Sequence, residues 1–485
     1  MTRTAHGRRH IARGAAWRLV EVMGAEVFAF GAFIISARLL LPTEVGIVAQ
    51  ATLLIMTGQL ILHQGLGEAL IQSDETGLAH FSSAFWLNLA IGTIACLILI
   101  AAADLIGHLL GEPDLPPVLQ ALAPTLLLFA ASGIYQAKLR RELLLRGFAF
   151  ASVSASFTGG LVAVSLAWTG HGVWSLVAQQ WTYAAVSLAI FALSSGWLPT
   201  PAIQWSHVRS LGAFGGLATI SAFLQFAMRR LDLMILGIFL PSAQVGFFSV
   251  ANRLMLSAGM LTYYSIQQIG LPVLSRLSHD REAHLLAIGR TLRLVSLFCL
   301  PVLVGLALVA DIMIPLALGE KWQGSVRPFQ ALSGFGIFFA LSLISGQILL
   351  SAGFVGLFVR LSVVNVVMFL TAVTLAAPYG LVEAAIAGGI ANMLAVPVYA
   401  FALRRTLGLD LVSIALDQWP IWTAVGMMVS VVLIWSHLMS GVVGDVAELA
   451  GRVVAGGGTF VVVMLLLSYE DVKEICGSFA EMLHS

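Results

Sequence analysis

Three charged residues stand close together in an otherwise apolar stretch of the chain, QFAMRRLDLMILG at 225–237. They are Arg229, Arg230 and Asp232. A charged side chain at the centre of a membrane helix costs about 2.5 to 3.5 kcal/mol on insertion scales. Planar guanidinium groups bind carboxylates and phosphates through paired N–H donors. These residues therefore suggest either an internal ion pair or the binding of an anion inside a membrane.

Helical geometry separates the two arginines. A turn of 100° per residue places Gln225, Arg229 and Asp232 on one narrow face and Arg230 on another. In the simpler alternative, Arg229 and Asp232 only pair with each other and hold two helices together. That alternative leaves Arg253 and one of the tandem arginines unmatched. A surplus of positive charge in a membrane cavity favours an anionic ligand.

Polar residues also interrupt three other apolar segments. Gln50 and Arg253 each belong to a stripe of polar side chains at helical spacing. In the first predicted helix, the turn of 100° per residue places Glu21 on one side of Arg18 and Glu26 on the other. We expect these stripes to face a hydrated cavity, because contact of polar side chains with lipid would cost free energy.

The composition indicates which kind of secondary structure carries these charged and polar residues. The chain has 485 residues, of which 59% are hydrophobic and 10% charged, and its mean hydropathy is +0.95. Soluble domains are about 25% charged. The sequence therefore predicts an all-α polytopic membrane protein, with segments of about 20 apolar residues. We predict fourteen transmembrane helices, centred on 15–38, 45–66, 83–107, 118–136, 150–169, 173–194, 212–237, 245–270, 288–314, 329–350, 358–377, 381–402, 419–438 and 449–468.

The distribution of Lys and Arg predicts the orientation. Most basic residues fall on one side of the predicted spans, as in KLRRELLLR at 138–146 and RLSHDR at 276–281. The positive-inside rule then places both termini in the cytoplasm. Tryptophans near span ends, such as Trp174, Trp322 and Trp419, are predicted to be interfacial anchors.

The chain repeats itself at a spacing of about 200 residues. Two motif pairs carry the repeat most clearly: LPTEVG at 41–46 with LPSAQVG at 240–246, and ADLIGHLLGE at 103–112 with ADIMIPLALGE at 310–320. An even number of spans per repeat gives both lobes the same orientation, and transporter sites lie at such repeat interfaces. We predict a six-helix lobe at 1–205, a second at 206–410, and two extra helices with a cytoplasmic tail at 411–485.

The segment RRLDLMILGIFLPSAQVGFFSVANRL at 229–254 resembles a known family. Its pattern is similar to the D-x-x-x-I/L-G-x-x-L … G-x-Y/F-x-x-A-x-K/R segment of Wzx-type lipid-linked oligosaccharide flippases, in the polysaccharide-transporter branch of the MOP exporter superfamily. The matching positions are Asp232, Gly237, Leu240, Gly246, Phe248 (where tyrosine is common), Ala251 and Arg253. LGEALIQ at 66–72 and SSAFWLNL at 82–89 resemble segments of the colanic-acid and xanthan exporter subgroup.

The resemblance implies two lobes around a central cavity and alternating access. It implies a flippase that moves undecaprenyl-pyrophosphate-linked oligosaccharide repeat units to the periplasmic leaflet of the bacterial inner membrane, for export of exopolysaccharide, capsule or O-antigen. The expected substrate-binding residues are Arg18, Arg229, Arg253, Gln225 and Gln50. The expected residues for charge balance, or for coupling to a proton or sodium ion, are Glu21, Glu26 and Asp232.

Two other function classes remain open on the sequence. A cation-coupled drug antiporter of the same superfamily would suit the acidic residues of the first span, but the surplus arginines argue against it. A membrane-embedded polysaccharide polymerase would need a large extramembrane loop, and none longer than about 20 residues is predicted. The loops carry no catalytic motif and no Cys/His cluster, so we predict no enzyme, metal site or cofactor. The expected partners are the lipid-linked oligosaccharide, membrane lipids and the polymerase and chain-length or export machinery, and no nucleic acid.

Overall fold

A computed structural model describes residues 24–64, 67, 70–71, 77–201, 230–264, 266, 274–277 and 279–468. Within these ranges the secondary structure is helical, with no strand. This confirms the predicted all-α fold, which follows because only helices satisfy every backbone polar group internally in lipid.

The chain divides into two compact units, residues 1–249 and 250–485. The described helices of the first unit are α1 (24–39), α2 (Pro42–Gln64), α3 (Leu78–Leu110), α4 (Leu115–Leu122), α5 (Thr125–Arg141), α6 (Leu145–Trp168), α7 (Val173–Ser195), α8 (230–239) and the start of α9 (Ser242–Gly259). Those of the second unit, after the end of α9, are α10 (Arg281–Leu318), α11 (Val326–Ser351), α12 (Val355–Ala376), α13 (Leu381–Leu407), α14 (Leu411–Asp417), α15 (Trp419–Met439) and α16 (Asp445–Leu467).

Ten described helical segments are long and apolar enough to cross a membrane. Each coincides with one of the fourteen predicted spans. The other four predictions, 15–38, 45–66, 212–237 and 245–270, each include residues outside the described ranges. The count of fourteen, the lobe boundaries and the orientation of the termini therefore stay predictions.

The first unit is built around α5, the most buried of its candidate spans. Asn88 on α3 donates from Nδ2 to the carbonyl of Ala130 on α5, at 2.7 Å. One turn further along α3, Gly92 faces the Ala130 side chain at a distance that leaves no room for a Cβ. The hydrogen bond and the missing side chain together fix the close packing of these two helices.

The C-terminal end of α5 is tied to the end of α7 by Lys138. This lysine is buried, and its Nζ lies 2.7 Å from a carboxylate oxygen of Glu142 and donates to the carbonyl of Ser195 at 3.0 Å. Arg140 stacks over the Phe148 ring, 5.0 Å from its centroid. Cations near a helix C-terminus also interact favourably with the helix dipole.

The second unit carries the two extra helices, α15 and α16, packed against each other and against α10. Arg452 on α16 is only 5% exposed and lies at the centre of this contact. Its Nη1 lies 2.9 and 3.0 Å from the carboxylate oxygens of Asp311 on α10, and its Nη2 lies 2.6 Å from Glu448 and 2.8 Å from Ser436. We call these four residues the Arg452 network.

Trp322 corrects one prediction. The sequence predicted an interfacial anchor, but this side chain is fully buried, in a 3₁₀ turn at Glu320–Ser325 that packs on α10 and α11. Trp174 and Trp419 are exposed, as an anchor requires. Position near a span end therefore did not distinguish a lipid-facing indole from one that fills the core.

The Arg452 network should stabilise the second unit, because the guanidinium of Arg452 offsets the charge of the carboxylates around it. Arg452→Leu leaves the buried Glu448 carboxylate without its guanidinium, which typically costs about 3 to 5 kcal/mol. Arg452→Leu/Glu448→Leu removes both charges, and it should recover much of the lost stability. The measurement is the thermal unfolding temperature of the detergent-purified protein, with the exposed Arg327→Leu as control. An Arg452→Leu protein as stable as the parent would contradict this account.

Candidate functional site

Half of the predicted site residues belong to the described chain. Glu26, Gln50, Asp232 and Arg253 are described, and Arg18, Glu21, Gln225 and Arg229 lie outside the described residues. The predicted pairing of Arg229 with Asp232 therefore stays a prediction.

Gln50 on α2 packs against α8, the helix that carries Asp232. Gln50 is 4% exposed, and its Nε2 lies 3.0 Å from the point where a Cβ of Gly237 would stand. Neither amide atom of Gln50 has a hydrogen-bond partner among the described residues. A buried amide with unused donors and acceptors is costly in an apolar interior unless a polar ligand or water satisfies it.

Asp232 is also buried, five residues before Gly237 on α8. Its Oδ1 accepts a hydrogen bond from the backbone N–H of Leu233 at 2.8 Å. Gln50 therefore contacts the helix that carries Asp232, five residues beyond the carboxylate, and a common polar site for the two residues stays a prediction.

Glu26 and Arg253 occupy other places in the fold. Glu26 is half-buried on α1, which packs on α6 through the edge-to-face pair of Phe28 and Phe157, 5.1 Å between ring centroids. Arg253 is half-buried on α9, in the part of that helix that belongs to the second unit. A short π-helical turn, Met260–Tyr264, follows α9 directly.

The helices α2 and α9 cross at two glycines, within the first unit. A Cβ on Gly46 would collide with the backbone carbonyl of Ser242, and a Cβ on Gly246 would collide with that of Pro42. Because the obstructing atoms are backbone, no side-chain rotation could relieve either collision. We call this contact the glycine crossing.

The glycine crossing is reciprocal with respect to the internal repeat. If Gly46 corresponds to Gly246, Pro42 corresponds to Ser242, so each helix presents the same two positions to the other. Two equivalent segments that meet in this way are related by an approximate twofold axis.

Carboxylates surround the start of both crossing helices. Glu112, in the turn after α3, accepts a hydrogen bond from the backbone N–H of Ser242 at 2.6 Å. Glu44 accepts one from the backbone N–H of Leu41 at 2.7 Å. The first N–H groups of a helix have no partner within the helix, so these carboxylates satisfy exposed donors and favour the helix dipole.

Sequence reasoning did not single out the glycine crossing. The signal was present, because both copies of the 41–46 and 240–246 motif end on glycine. The repeat identified the two segments as equivalent, but equivalence does not show that they touch.

A cavity of about 250 Å³ opens between α2, α4, α5 and α7 of the first unit. Its polar lining consists of neutral groups: Thr52, Gln59, Thr125, Gln180 and Tyr183. The hydroxyl of Thr52 is buried without a hydrogen-bond partner in the described chain. Neutral hydroxyls and amides beside aromatic rings match an uncharged, hydroxyl-rich ligand better than an ion.

Comparison with known families gives a match to the profile described as "Polysaccharide biosynthesis protein", over residues 35–327. The chain is 26% identical, over 64% of its length, to the succinoglycan biosynthesis transport protein ExoT of Rhizobium meliloti (strain 1021). That match spans 63% of the Rhizobium protein, slightly less than two thirds. The lipopolysaccharide biosynthesis protein WzxC of Escherichia coli (strain K12) is 21% identical over 75% of this chain and 74% of its own length. The teichuronic acid biosynthesis protein TuaB of Bacillus subtilis (strain 168) is 20% identical over 71% of this chain and 72% of its own length.

Solved structures share the fold. An inward closed conformation of the lipid II flippase MurJ superposes with a TM-score of 0.78, at 12% identity, and the match covers 94% of this chain and 99% of MurJ. An inward-facing MATE-family multidrug resistance transporter of the MOP superfamily gives a TM-score of 0.62 at 14% identity, over 80% of this chain and 98% of its own. The fold is thus that of polytopic MOP transporters, and the predicted resemblance is confirmed.

The glycine crossing predicts how one substitution should open the contact between α2 and α9. Gly46→Val should force these helices apart, because its side chain would occupy the place of the Ser242 carbonyl. A cysteine introduced at the buried position 50, in a variant without native cysteines, should then become reactive toward a water-soluble maleimide. Gly31→Val is the matched control, since no atom lies within 4 Å of a Cβ there.

If Gly46→Val lowers the abundance of the protein, the same labelling is measured with the smaller substitution Gly46→Ala. Unchanged protection of position 50 in both variants at normal abundance would show that the crossing does not control access to this site.

Proposed function

Because the chain belongs to the polysaccharide biosynthesis protein family, we propose that it is a flippase for lipid-linked oligosaccharides. It moves undecaprenyl-pyrophosphate-linked repeat units from the cytoplasmic to the periplasmic leaflet of a bacterial inner membrane, for export of a surface polysaccharide. The observation that carries the proposal is the family match over 35–327. The curated relatives are named for succinoglycan, lipopolysaccharide and teichuronic acid, so the match favours the class of substrate and not one polymer.

The charges of the predicted site fit this substrate. A pyrophosphate cannot cross hydrocarbon unaided, and guanidinium groups match its oxygens. In this proposal Arg18, Arg229 and Arg253 bind the pyrophosphate or acidic sugars, and Gln50 and Gln225 donate neutral hydrogen bonds. The acidic residues Glu21, Glu26 and Asp232 balance the charge of the empty cavity, or carry a coupling proton or sodium ion. The buried, unsatisfied amide of Gln50 and the buried Asp232 support a polar site between apolar helices.

The neutral cavity provides a separate place for sugar. Thr52, Gln59 and Gln180 offer hydroxyl and amide groups, and Tyr183 offers a ring on which a sugar face can pack. A substrate with an ionic head and a neutral oligosaccharide needs both kinds of surface. Separate charged and neutral surfaces therefore suit a lipid-linked oligosaccharide better than a small cation.

The glycine crossing is the part of the structure best suited to a gate. In the predicted orientation it lies at the periplasmic ends of α2 and α9, which come from the two repeats. At the two glycines the helices touch through backbone atoms, without interdigitated side chains. The two helices can therefore move apart as rigid bodies. Opening the crossing would expose the polar site near Gln50 to the periplasm, as alternating access requires.

The rival transport function shares this fold. Because the MATE transporter superposes as well, the architecture cannot separate a drug antiporter from a flippase. The family match favours the flippase. No reaction is proposed, and the partners we expect are membrane lipids and the polymerase and chain-length or export machinery that would use the flipped repeat units.

The proposal predicts the behaviour of a deletion strain that has no second flippase. Surface polymer should disappear while lipid-linked repeat units accumulate on the cytoplasmic side. The intact gene and the exposed-site variant Arg276→Ala should restore export, whereas Arg253→Ala, inserted at normal abundance, should not. Arg253→Lys should restore it only in part, because lysine keeps the charge and loses the bidentate fork.

Export and the lipid-linked pool are measured together by labelling of surface sugar and by extraction of lipid. Normal surface polymer in the deletion strain would refute the flippase proposal. Full export by Arg253→Ala would instead remove only Arg253 from the site.

A further inference from the structure

The helices around the neutral cavity carry no acidic residue, lysine or arginine over the whole length that borders it. This holds for residues 45–64 of α2, 115–137 of α4 and α5, and 173–195 of α7. The next ionic residues are Glu44 on α2 and Lys138 on α5, both about 12 Å or more along the helix axis from the cavity lining. An ionic group inside the cavity would therefore lose its hydration without gaining a counter-charge from these helices.

The polar groups of the cavity have unused hydrogen-bonding atoms. Gln59 on α2 and Gln180 on α7 make no hydrogen bond to any described residue, and the buried hydroxyl of Thr52 has no partner there either. Thr125 donates its hydroxyl to the carbonyl of Leu122 at 2.6 Å, which leaves the oxygen lone pairs to accept a bond. A ligand without hydrogen-bonding groups would leave these atoms unsatisfied, at a cost in free energy.

The size and the aromatic lining of the cavity match a single sugar ring. Its volume of about 250 Å³ lies below the range of about 300 to 1,000 Å³ that is typical of sites for drug-sized ligands. Phe129 and Tyr183 line it with aromatic rings, on which the C–H face of a sugar can pack. Each sugar hydroxyl both donates and accepts, as do the amides of Gln59 and Gln180, so an amide can bind two neighbouring hydroxyls.

We propose that the neutral cavity selects one uncharged hexose of the repeat unit and excludes a sugar that carries a carboxylate or an ammonium group. Gln59 and Gln180 determine this specificity through hydrogen bonds to neighbouring hydroxyls, and Tyr183 packs on the face of the ring. The inference rests on the proposed flippase function, since it concerns the sugar part of the same substrate. The charged parts of the substrate are then bound at the predicted arginines and not in this cavity.

Two other occupants satisfy less of the lining. A polyprenyl or acyl chain would pack on the apolar residues, but it would leave both amides and the Thr52 hydroxyl without partners. Water would satisfy those groups, but the apolar surface of Phe129 and Tyr183 would then stay hydrated. A hexose satisfies the polar groups and covers the rings.

Protection of an introduced thiol from alkylation tests what enters the cavity, and it does not require transport. Met56, which lines the cavity, is replaced by cysteine in a variant without native cysteines, and the purified protein is placed in liposomes. Polyprenyl-pyrophosphate-linked glucose should slow the reaction of this thiol with N-ethylmaleimide. The same lipid without sugar should not slow it, and the lipid that carries glucuronic acid should need at least a tenfold higher concentration for half-protection.

Substitution of one glutamine separates binding in the cavity from an indirect effect. Gln180→Leu should raise the half-protective concentration of the glucose lipid about tenfold, because the sugar loses the hydrogen bonds of one amide. Gln179→Leu is the matched control, since Gln179 is the preceding residue of α7, is also half-buried and does not line the cavity. It should leave the protection unchanged. Immunoblotting checks that all variants are equally abundant.

Three results would overturn the proposal. Protection by the lipid without sugar would place its polyprenyl chain in the cavity, equal protection by both sugars would remove the selectivity, and no protection would show that no sugar enters. An unchanged half-protective concentration in Gln180→Leu would remove this residue from the recognition of sugar and overturn its assigned role. Movement of the glucose lipid between leaflets is measured in the same liposomes. Protection without movement would refute the flippase proposal alone, whereas movement without protection would refute only the role of the cavity.

Discussion

The cost of an unpartnered charge in hydrocarbon is the constraint on which this structure depends. It explains why Arg452, deep in a helix packing interface, has carboxylates on two sides. The same constraint turns any polar group left unsatisfied, such as the amide of Gln50, into a candidate for ligand binding.

The internal repeat shows how one sequence pattern can supply both sides of a contact between two helices. Duplicated helices with the same orientation meet at the same residues, and the reciprocal contact of Gly46 and Gly246 is a direct result. The duplication also makes differences informative. Asp104 and Asp311 are equivalent in the repeat, and within the described ranges Asp311 pairs with Arg452 of another helix while no such pair is found for Asp104.

The sequence predicted the helical class and the position of ten spans, because length and hydropathy determine those properties segment by segment. It could not predict contacts between distant segments. Nothing in the sequence around Arg452 indicated a contact with Asp311, which lies 141 residues away. Trp322 was misassigned for a related reason, since the core that buries it comes from other helices. The helical periodicity predicted Gln50 and Asp232 as site residues, which stays a prediction, whereas the sequence predicted neither the glycine crossing nor the neutral cavity.

The activity that we propose for this protein is the movement of a lipid-linked oligosaccharide between the two leaflets of a membrane. The most direct measurement is transport in liposomes that contain only the purified protein. A fluorescent undecaprenyl-pyrophosphate-linked oligosaccharide is placed in both leaflets, and a membrane-impermeant reagent that modifies sugar is added outside. Without protein about half of the label should be protected, and with active flippase nearly all of it should react. Continued protection of half of the label, together with protein-dependent movement of a cationic dye in the same liposomes, would contradict the claim and favour the drug antiporter.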